Sequence, residues 1–154
     1  MTTLTESAEK AYVLLRLGEQ RFAVPAEAVD ELTGASQLHK LPHTTPLIEG
    51  VIVRRKRIVP VRDVASLLTG RALRTHRFYL VVRRRYGTVE ESEAIPVTGD
   101  CELLSGVIAF PRGDQQPDYI AGNLELAGEQ VPLLDLEKLV AAGPQAAGPA
   151  GRAA

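Results

Sequence analysis

The stretch IEGVIVRRKRIVPVRDVASLL, residues 48–68, decides the fold because it recurs later in the chain. Adding 72 to each number gives residues 120–140, and six of the 21 paired positions are identical. Internal self-similarity of this kind indicates repeated structural units, so we expect two related halves. The identical pairs are Ile48/Ile120, Gly50/Gly122, Val59/Val131, Pro60/Pro132, Asp63/Asp135 and Leu67/Leu139.

Each copy of the repeat predicts a strand, a tight corner, a second strand and a short helix. Gly50 or Gly122 opens a run of β-branched and aliphatic residues that favours a strand. The proline in the second run cannot donate to a β-ladder, which confines it to an edge or a strand end. Asp63 and Asp135 then stand where a carboxylate accepts the free N–H groups of a helix's first turn. Apolar residues follow each aspartate at helical spacing.

A β-hairpin is predicted before the first copy, over residues 12–24. Pro25 suits the first turn of a helix because its missing donor costs nothing there, so residues 26–32 are predicted as a short helix. Val29 would lie on the apolar side of this helix and Glu31 on its polar side.

The second half begins with an apolar strand at residues 78–82. Glu93–Pro96 resembles Phe22–Pro25 in its alanine, aliphatic and proline positions, so we expect the duplication to extend to the hairpins. Many short strands with little helix predict a mainly β protein built from two small barrels with short helices. The first barrel unit would cover about residues 11–70 and the second about residues 77–141.

The composition is that of an ordinary globular protein, with 154 residues, a net charge of -1 and a pI near 6.3. No apolar run approaches the length needed to span a bilayer, and residues 1–10 lack the pattern of a signal peptide. With a single cysteine, Cys101, no internal disulfide can form. We therefore predict a cytoplasmic protein with no membrane insertion. Residues 1–10 and the Ala/Gly/Pro tail at 142–154 are predicted to be disordered.

Catalytic and metal-binding motifs find no support. His39, His43 and His76 lie in loop or pre-strand sequence without cysteine or carboxylate at ligand spacing, which favours solvated loop histidines over a metal site. Cys101 matches no redox or nucleophile motif and is expected to be a structural thiol. Glycine-rich phosphate loops are missing from the sequence. We expect no enzyme activity, no cofactor and no metal.

Two basic clusters, Arg54–Arg57 and Arg83–Arg85, allow two interpretations. They are either charged hairpin ends that discourage edge-to-edge pairing, or a nucleic-acid surface, which would also need stacking aromatics. The first cluster occupies the corner where the second repeat has Ala127–Gly128. A left-handed turn at Lys56 would cost roughly 1 kcal/mol relative to glycine. A local rule that is broken in one copy alone indicates a function.

Six segments together resemble the CheW-like family of chemotaxis coupling proteins, and the match covers about residues 11–141. The resemblance implies two SH3-like five-stranded barrels with a hydrophobic groove between them and no catalytic activity. The segments are Tyr12–Val24, Ala28–Leu32, Pro46–Val51, Ile58–Val64, Tyr119–Gly122 and Leu133–Leu139.

The resemblance also implies a function in signalling. It predicts an adaptor between the cytoplasmic tips of methyl-accepting chemoreceptors and a CheA-type histidine kinase, recruited to membrane-associated receptor arrays. Two alternatives remain: an accessory scaffold that binds either receptor or kinase but not both, and a small-barrel nucleic-acid binder.

Residues for partner binding follow from the family's Asn-Leu-Arg-Gly motif, which aligns with Val53–Lys56. Arg55 keeps the family's functional arginine, which lies near a glutamate on the preceding short helix, here Glu31. The motif's asparagine and glycine are replaced in this chain, which motivates the accessory-scaffold alternative. A purely structural role is the alternative for Val29 and Ile48. The expected partner contacts are Arg55, Glu31, Val29, Ile48, Gly50, Arg54 and Lys56.

Overall fold

The computed structural model describes residues 10–34, 37–42, 48–74, 78–86 and 88–139. This part of the chain forms eleven strands and little helix, as predicted. The strands are β1 (Lys10–Leu17), β2 (Gln20–Pro25), β3 (Val29–Thr33), β4 (Ile48–Arg54), β5 (Arg57–Arg62), β6 (Phe78–Tyr86), β7 (Val89–Val97), β8 (Glu102–Gly106), β9 (Ile108–Phe110), β10 (Ile120–Leu126) and β11 (Glu129–Leu134). The helical elements are a 3₁₀ turn (Ala26–Ala28), the helix α1 (Val64–Thr69) and a final turn at residues 136–139.

The strands form two sheets, and each sheet takes strands from both halves of the sequence. Sheet A has the order β8-β1-β2-β11-β10-β9, and sheet B has the order β3-β6-β7-β5-β4. In sheet A the hairpin β1–β2 of the first half joins the repeat unit of the second half through a parallel contact of Ala23 with Leu133. In sheet B the hairpin β6–β7 of the second half joins the first repeat unit, where Ala94 pairs with Val61.

This exchange of hairpins corrects the predicted barrel boundaries. Continuous units over about residues 11–70 and 77–141 are wrong as a description of the sheets, because neither stretch contains all the strands of one sheet. Strand β1 also begins at Lys10, inside the segment that was predicted to be disordered. Residues 1–9 and 140–154 lie outside the described residues, so the predicted disorder of the two termini stays a prediction.

The interiors of the two sheets match residue for residue. Each sheet curls around six buried side chains of its own, and Tyr12 faces Pro25 across the first hairpin just as Tyr79 faces Pro96 across the second. Each hairpin therefore fills the same space with nearly the same residues. The equivalent pairs are Tyr12/Tyr79, Leu14/Val81, Ala23/Ala94, Leu124/Ile52, Val131/Val59 and Leu133/Val61.

The largest core lies between the two sheets. It contains 15 buried residues contributed by β1, β2, β6, β7, β10, β11, α1 and the turn at residues 136–139. Burying an aliphatic or aromatic side chain of this kind contributes about 1.5–3 kcal/mol, so this shared layer holds the two subdomains together.

Both repeat aspartates cap helical turns, as the sequence predicted. Asp63 Oδ1 accepts a hydrogen bond from the Ser66 amide at 3.1 Å. Asp135 Oδ1 accepts hydrogen bonds from the amides of Glu137 and Lys138 at 3.1 and 3.2 Å. Each carboxylate thus satisfies amides that have no partner within the first helical turn.

The predicted helix over residues 26–32 is wrong. The helical part ends after one 3₁₀ turn, and the following residues form β3, which pairs antiparallel with β6. The alternation of exposed and half-buried residues in β3 suits this edge position. Pairing with a neighbouring strand has overridden the local helical pattern, which carries only a weak preference of its own.

Gly50 and Gly122 mark β-bulges rather than strand beginnings. The pairing register shifts next to each glycine, in β4 and in β10. A Cβ atom at Gly50 would lie 2.5 Å from the His39 carbonyl oxygen, and one at Gly122 would lie 2.7 Å from Ile108 Cγ2. The two glycines therefore let a further segment approach the sheet edge, a three-residue strand in sheet A and a single bridge from His39 to Val51 in sheet B. The strand in sheet A is β9, which is why that sheet has six strands instead of five.

Candidate partner-binding site

The site is built on the tip of the β4–β5 hairpin. Arg55 and Lys56 form its two-residue turn, with φ angles of 53° and 67°. Two successive positive φ angles match the type I′ turns that close tight hairpins. In the second repeat the same positions are Ala127 and Gly128, with φ angles of 51° and 83°. The corner thus keeps its shape without glycine, and a side chain in the left-handed region costs about 1–2 kcal/mol.

Glu31 and Arg54 form the principal ion pair of the site. Arg54 Nε donates to Glu31 Oε2 at 3.2 Å, and Arg54 Nη2 donates to Glu31 Oε1 at 2.9 Å. Because β3 and β4 are the two edge strands of sheet B, this bidentate pair connects its opposite edges. The hydrogen bond from Arg54 holds the pKa of Glu31 below its usual range, against the opposing effect of burial.

Arg55 also lies near Glu31, as the family resemblance implies, although Arg54 is the principal partner of this carboxylate. The Arg55 Nη2 atom lies 3.9 Å from Glu31 Oε1, and the Arg55 side chain is 79% exposed. Alternation along β4 gives the physical reason, since Arg54 lies on the same side of the strand as the buried Ile52. Arg55 follows the strand at the turn, so its guanidinium is presented to solvent.

A cleft of about 280 Å³ opens beside this ion pair. Its floor is apolar, since Val59 and Val81 are both buried members of the interior of sheet B. Its other lining residues are charged or polar: Asp30, Glu31, Arg54, Arg55, Arg57 and Ser92.

An exposed apolar pair lies on the same hairpin. Val53 and Ile58 face each other across β4 and β5, and they are 52% and 72% exposed. In the second repeat the equivalent cross-strand pair is Glu125 and Gln130. We call Val53 and Ile58 the Val53/Ile58 patch. Sequence reasoning missed this patch, although a comparison of the two copies at an offset of 72 would have found it.

The remaining predicted site residues lie away from the tip. Val29 is half-buried and packs against the core between the sheets. Ile48 is half-buried at the start of β4, opposite Arg62. Gly50 is buried beneath His39. The described lining of the cleft includes none of these three residues, whereas it includes Glu31, Arg54 and Arg55.

The second basic cluster is engaged within the fold. Arg83 Nε lies 2.7 Å from Asp30 Oδ1, and Arg84 Nη2 lies 3.1 Å from Glu91 Oε1. Tyr79, which a nucleic-acid surface could have used for stacking, is buried inside sheet B. Both features weigh against the nucleic-acid interpretation, because such a surface needs accessible cations and aromatic faces.

The described residues give no support for reactive chemistry. Within residues 10–34, 37–42, 48–74, 78–86 and 88–139, no three potential metal ligands cluster together. Burial raises the pKa of the Cys101 thiol to about 11, with a smaller contribution from Asp100. No helix in the described part of the chain is long and apolar enough to cross a membrane. His43 and His76 lie outside the described residues.

Comparison with known proteins agrees with the fold and with the family resemblance. The family model of the CheW-like domain matches residues 11–143. Protein FrzA of Myxococcus xanthus is 31% identical over 137 residues, which cover 86% of this chain and 86% of FrzA. The crystal structure of the scaffolding protein TtCheW from Thermoanaerobacter tengcongensis superposes with a TM-score of 0.70 at 18% identity, covering 84% of this chain and 86% of TtCheW.

These matches confirm the predicted two-subdomain β fold and the predicted lack of catalysis, because proteins of this family are non-catalytic scaffolds of chemotaxis-type signalling. The family model spans most of the chain, from the first strand to the turn that follows β11. The chain therefore belongs to the CheW-like family.

Proposed function

We propose that this protein is an adaptor that couples the cytoplasmic tips of chemoreceptors to a CheA-type histidine kinase. It would act in the cytoplasm and be recruited to membrane-associated receptor arrays through its partners. Membership in a family of chemotaxis-type scaffolds supports this role. The observation that carries the proposal is the asymmetry between the repeats, since only the first copy places an apolar pair and a basic tip on its hairpin.

The Val53/Ile58 patch and Arg55 have the chemistry of an interface anchor. Exposed aliphatic side chains gain free energy when a partner removes them from water. Arginine is enriched among the residues that dominate binding energy, whereas lysine and acidic residues are depleted at interface centres. A partner with an apolar stripe and an adjacent carboxylate would match this surface.

The base of the hairpin is held in place before any partner binds. Glu31 and Arg54 connect the two edges of sheet B directly below the tip. A preorganised surface loses less conformational freedom on binding, so more of the contact energy appears as affinity. Arg55 and Lys56 adopt a left-handed turn conformation that glycine would adopt more easily. Backbone strain of this kind is typical of functional sites.

The test is a binding experiment with the purified full-length chain against two probes, the regulatory domain of a CheA-type kinase and a receptor cytoplasmic fragment. The variant V53E/I58Q gives the first hairpin the residues of the second. We expect it to lose binding to at least one probe by tenfold or more, corresponding to about 1.4 kcal/mol. The matched control is V89Q, which changes a side chain of similar exposure on another hairpin. Failure of the wild-type chain to bind either probe would overturn the proposal.

An accessory scaffold that binds only one of these partners is the second candidate. The replacement of the motif's asparagine and glycine by Val53 and Lys56 supports it, because these residues lie at the hairpin tip itself. Reconstitution separates the two roles. An adaptor restores receptor control of kinase activity when it is added to receptor and kinase, whereas an accessory scaffold binds one partner and leaves kinase activity uncontrolled.

A further inference from the structure

Three charged side chains meet in the buried layer of sheet B. Arg62 Nε donates to Glu93 Oε2 at 2.8 Å, and Arg84 Nε lies 3.3 Å from the same oxygen. The Glu93 side chain is 0% exposed, and the two arginine side chains are almost completely buried. The three residues come from three adjacent strands, β5, β7 and β6. We call them the Arg–Glu–Arg triad.

Sheet A carries three apolar residues at the same positions. Arg62 is the residue after Val61, which pairs with Ala94. Leu134 is the residue after Leu133, which pairs with Ala23 in the same way. Glu93 immediately precedes Ala94, and Phe22 immediately precedes Ala23. All of these positions are buried in both sheets, but the chemistry changes from ionic to apolar.

The third pair of equivalent positions is Arg84 and Leu17. In the second hairpin Val82 lies opposite Glu93, and in the first hairpin Leu15 lies opposite Phe22. Arg84 lies two residues after Val82, and Leu17 lies two residues after Leu15. Each therefore points to the same side of its strand as that residue. Leu17 is buried in the core between the sheets together with Phe22 and Leu134.

The interiors of the two subdomains cannot decide which hairpin joins which repeat unit. Both hairpins supply a tyrosine, an aliphatic residue and an alanine at matching positions, so either would fill either unit. The triad positions differ, however. If β1–β2 stood beside β5 in a sequential barrel, Arg62 would face Phe22 without a carboxylate partner. If β6–β7 stood beside β11, Glu93 would face Leu134.

We propose that the Arg–Glu–Arg triad determines the exchanged arrangement of the hairpins. A buried ion pair often adds little stability over well-packed apolar residues, whereas separating its partners strands a charge in an apolar environment and is strongly unfavourable. Such pairs can fix partner choice and register. The triad penalises the sequential arrangement at both units simultaneously, because Arg62 and Glu93 lose each other in it.

Replacing the triad by the apolar residues of sheet A, which we call the apolar graft, distinguishes this role from a purely stabilising one. The variant R62L/R84L/E93F copies the residues of sheet A into sheet B. It should keep the unfolding free energy of the wild type or exceed it, but lose the ability to distinguish the two hairpins. The single variant R62L should instead be destabilised, because it leaves Glu93 buried with fewer positive partners.

Disulfide reporters in a C101S background measure which hairpin lies beside β5. The parallel contact of β5 with β7 pairs Val61 with Ala94. Extending this register by four residues along both strands puts Glu90 opposite Arg57, so we expect R57C/E90C to report the exchanged arrangement. The equivalent position on the first hairpin is Glu19, so R57C/E19C reports the sequential arrangement. Without further changes, we expect the first pair to form a disulfide within the full-length chain and the second pair to form none.

The decisive variant moves the charges of one hairpin to the other. L17R/F22E/R84L/E93F leaves Arg62 and Leu134 unchanged, so the ionic partners of Arg62 now lie on β1–β2. In this variant we expect the disulfide of R57C/E19C to become the main product. In the apolar graft we expect both disulfides, that of R57C/E19C and that of R57C/E90C. Retention of the R57C/E90C disulfide alone in the folded apolar graft overturns the proposal. An apolar graft that does not fold cooperatively also overturns it, because the triad would then be required for stability itself.

Discussion

Arg54 and Glu31 connect the two edge strands of sheet B through a bidentate ion pair at 2.9 and 3.2 Å. Neighbouring Arg55 lies 3.9 Å from the same carboxylate and is largely free to meet a partner. Two adjacent arginines thus have separate roles, one that closes the sheet and one that is presented at its tip.

Replacing Glu31 by glutamine should make stability less dependent on acid pH. The folded-state pKa of Glu31 is depressed, so its contribution is present above its ordinary pKa of 4.5 and is lost as pH falls through the lower folded-state value. Urea unfolding at neutral pH should show E31Q to be less stable than the wild type, and the difference should shrink below about pH 4. E125Q, at an exposed position of the second repeat, is the control and should show no such convergence. An unchanged difference at low pH would contradict the assignment.

Replacing Lys56 by glycine should stabilise the protein by about 0.5–1 kcal/mol, because the relief of about 1–2 kcal/mol of left-handed strain is partly offset by the greater freedom of glycine in the unfolded chain. The reverse change G128K tests the same turn in the second repeat. A Cβ atom at Gly128 would meet nothing within 4 Å, so its effect is conformational. Thermal or urea unfolding should show opposite signs for the two variants, and equal signs would exclude turn strain as the cause.

Alanine at Gly50 should be more damaging than alanine at Gly122. The added Cβ would lie 2.5 Å from the backbone carbonyl oxygen of His39 in the first case. In the second case its closest contact is a side-chain methyl group of Ile108 at 2.7 Å, and the nearest backbone atom, the Phe110 oxygen, is 3.3 Å away. A methyl group can move aside and a paired backbone cannot, so we expect G50A to cost roughly 1–3 kcal/mol and G122A less. Chemical denaturation of both variants measures this difference, which would vanish if the edge segment at His39 moved as freely as Ile108.

The Cys101 thiol should react slowly in the folded protein. Burial raises its pKa to about 11, so the reactive thiolate is scarce near neutral pH. Alkylation by iodoacetamide at pH 8 should be much slower than for glutathione and should reach the same rate in urea. Equal rates in the folded protein would show that the thiol is more accessible than its burial implies.

Most of the fold could be predicted from the sequence repeat. Its glycine, proline and aspartate positions predicted strand, corner, strand and cap, and Asp63 and Asp135 act as caps in both copies. The exchange of hairpins could not be predicted from the core pattern, because Ala23 and Ala94 fit either unit equally well. The charges contained the missing information, since Arg62 has a carboxylate partner in only one arrangement.

Only part of the predicted site comes together in the structure, and its role in partner binding stays a prediction. Glu31, Arg54 and Arg55 do meet at one cleft. Arg55 lies near Glu31, as the resemblance implied, but Arg54 makes the bidentate pair because strand alternation turns its side chain inward. The helix predicted around Val29 failed for a related reason, since pairing of β3 with β6 is a long-range contact that local spacing does not encode.

The hairpin exchange also bears on how the protein is made. When the first 74 residues have left the ribosome, β4 and β5 still lack β6 and β7, and β1 and β2 still await β11, which ends only at Leu134. Proteins whose domains are continuous in sequence can complete one domain during synthesis before the next emerges. Sheet B of this chain cannot be completed before β7 ends at Val97, and sheet A cannot be completed before β11 ends at Leu134. The nascent first hairpin therefore exposes an unpaired edge until the second repeat unit has emerged.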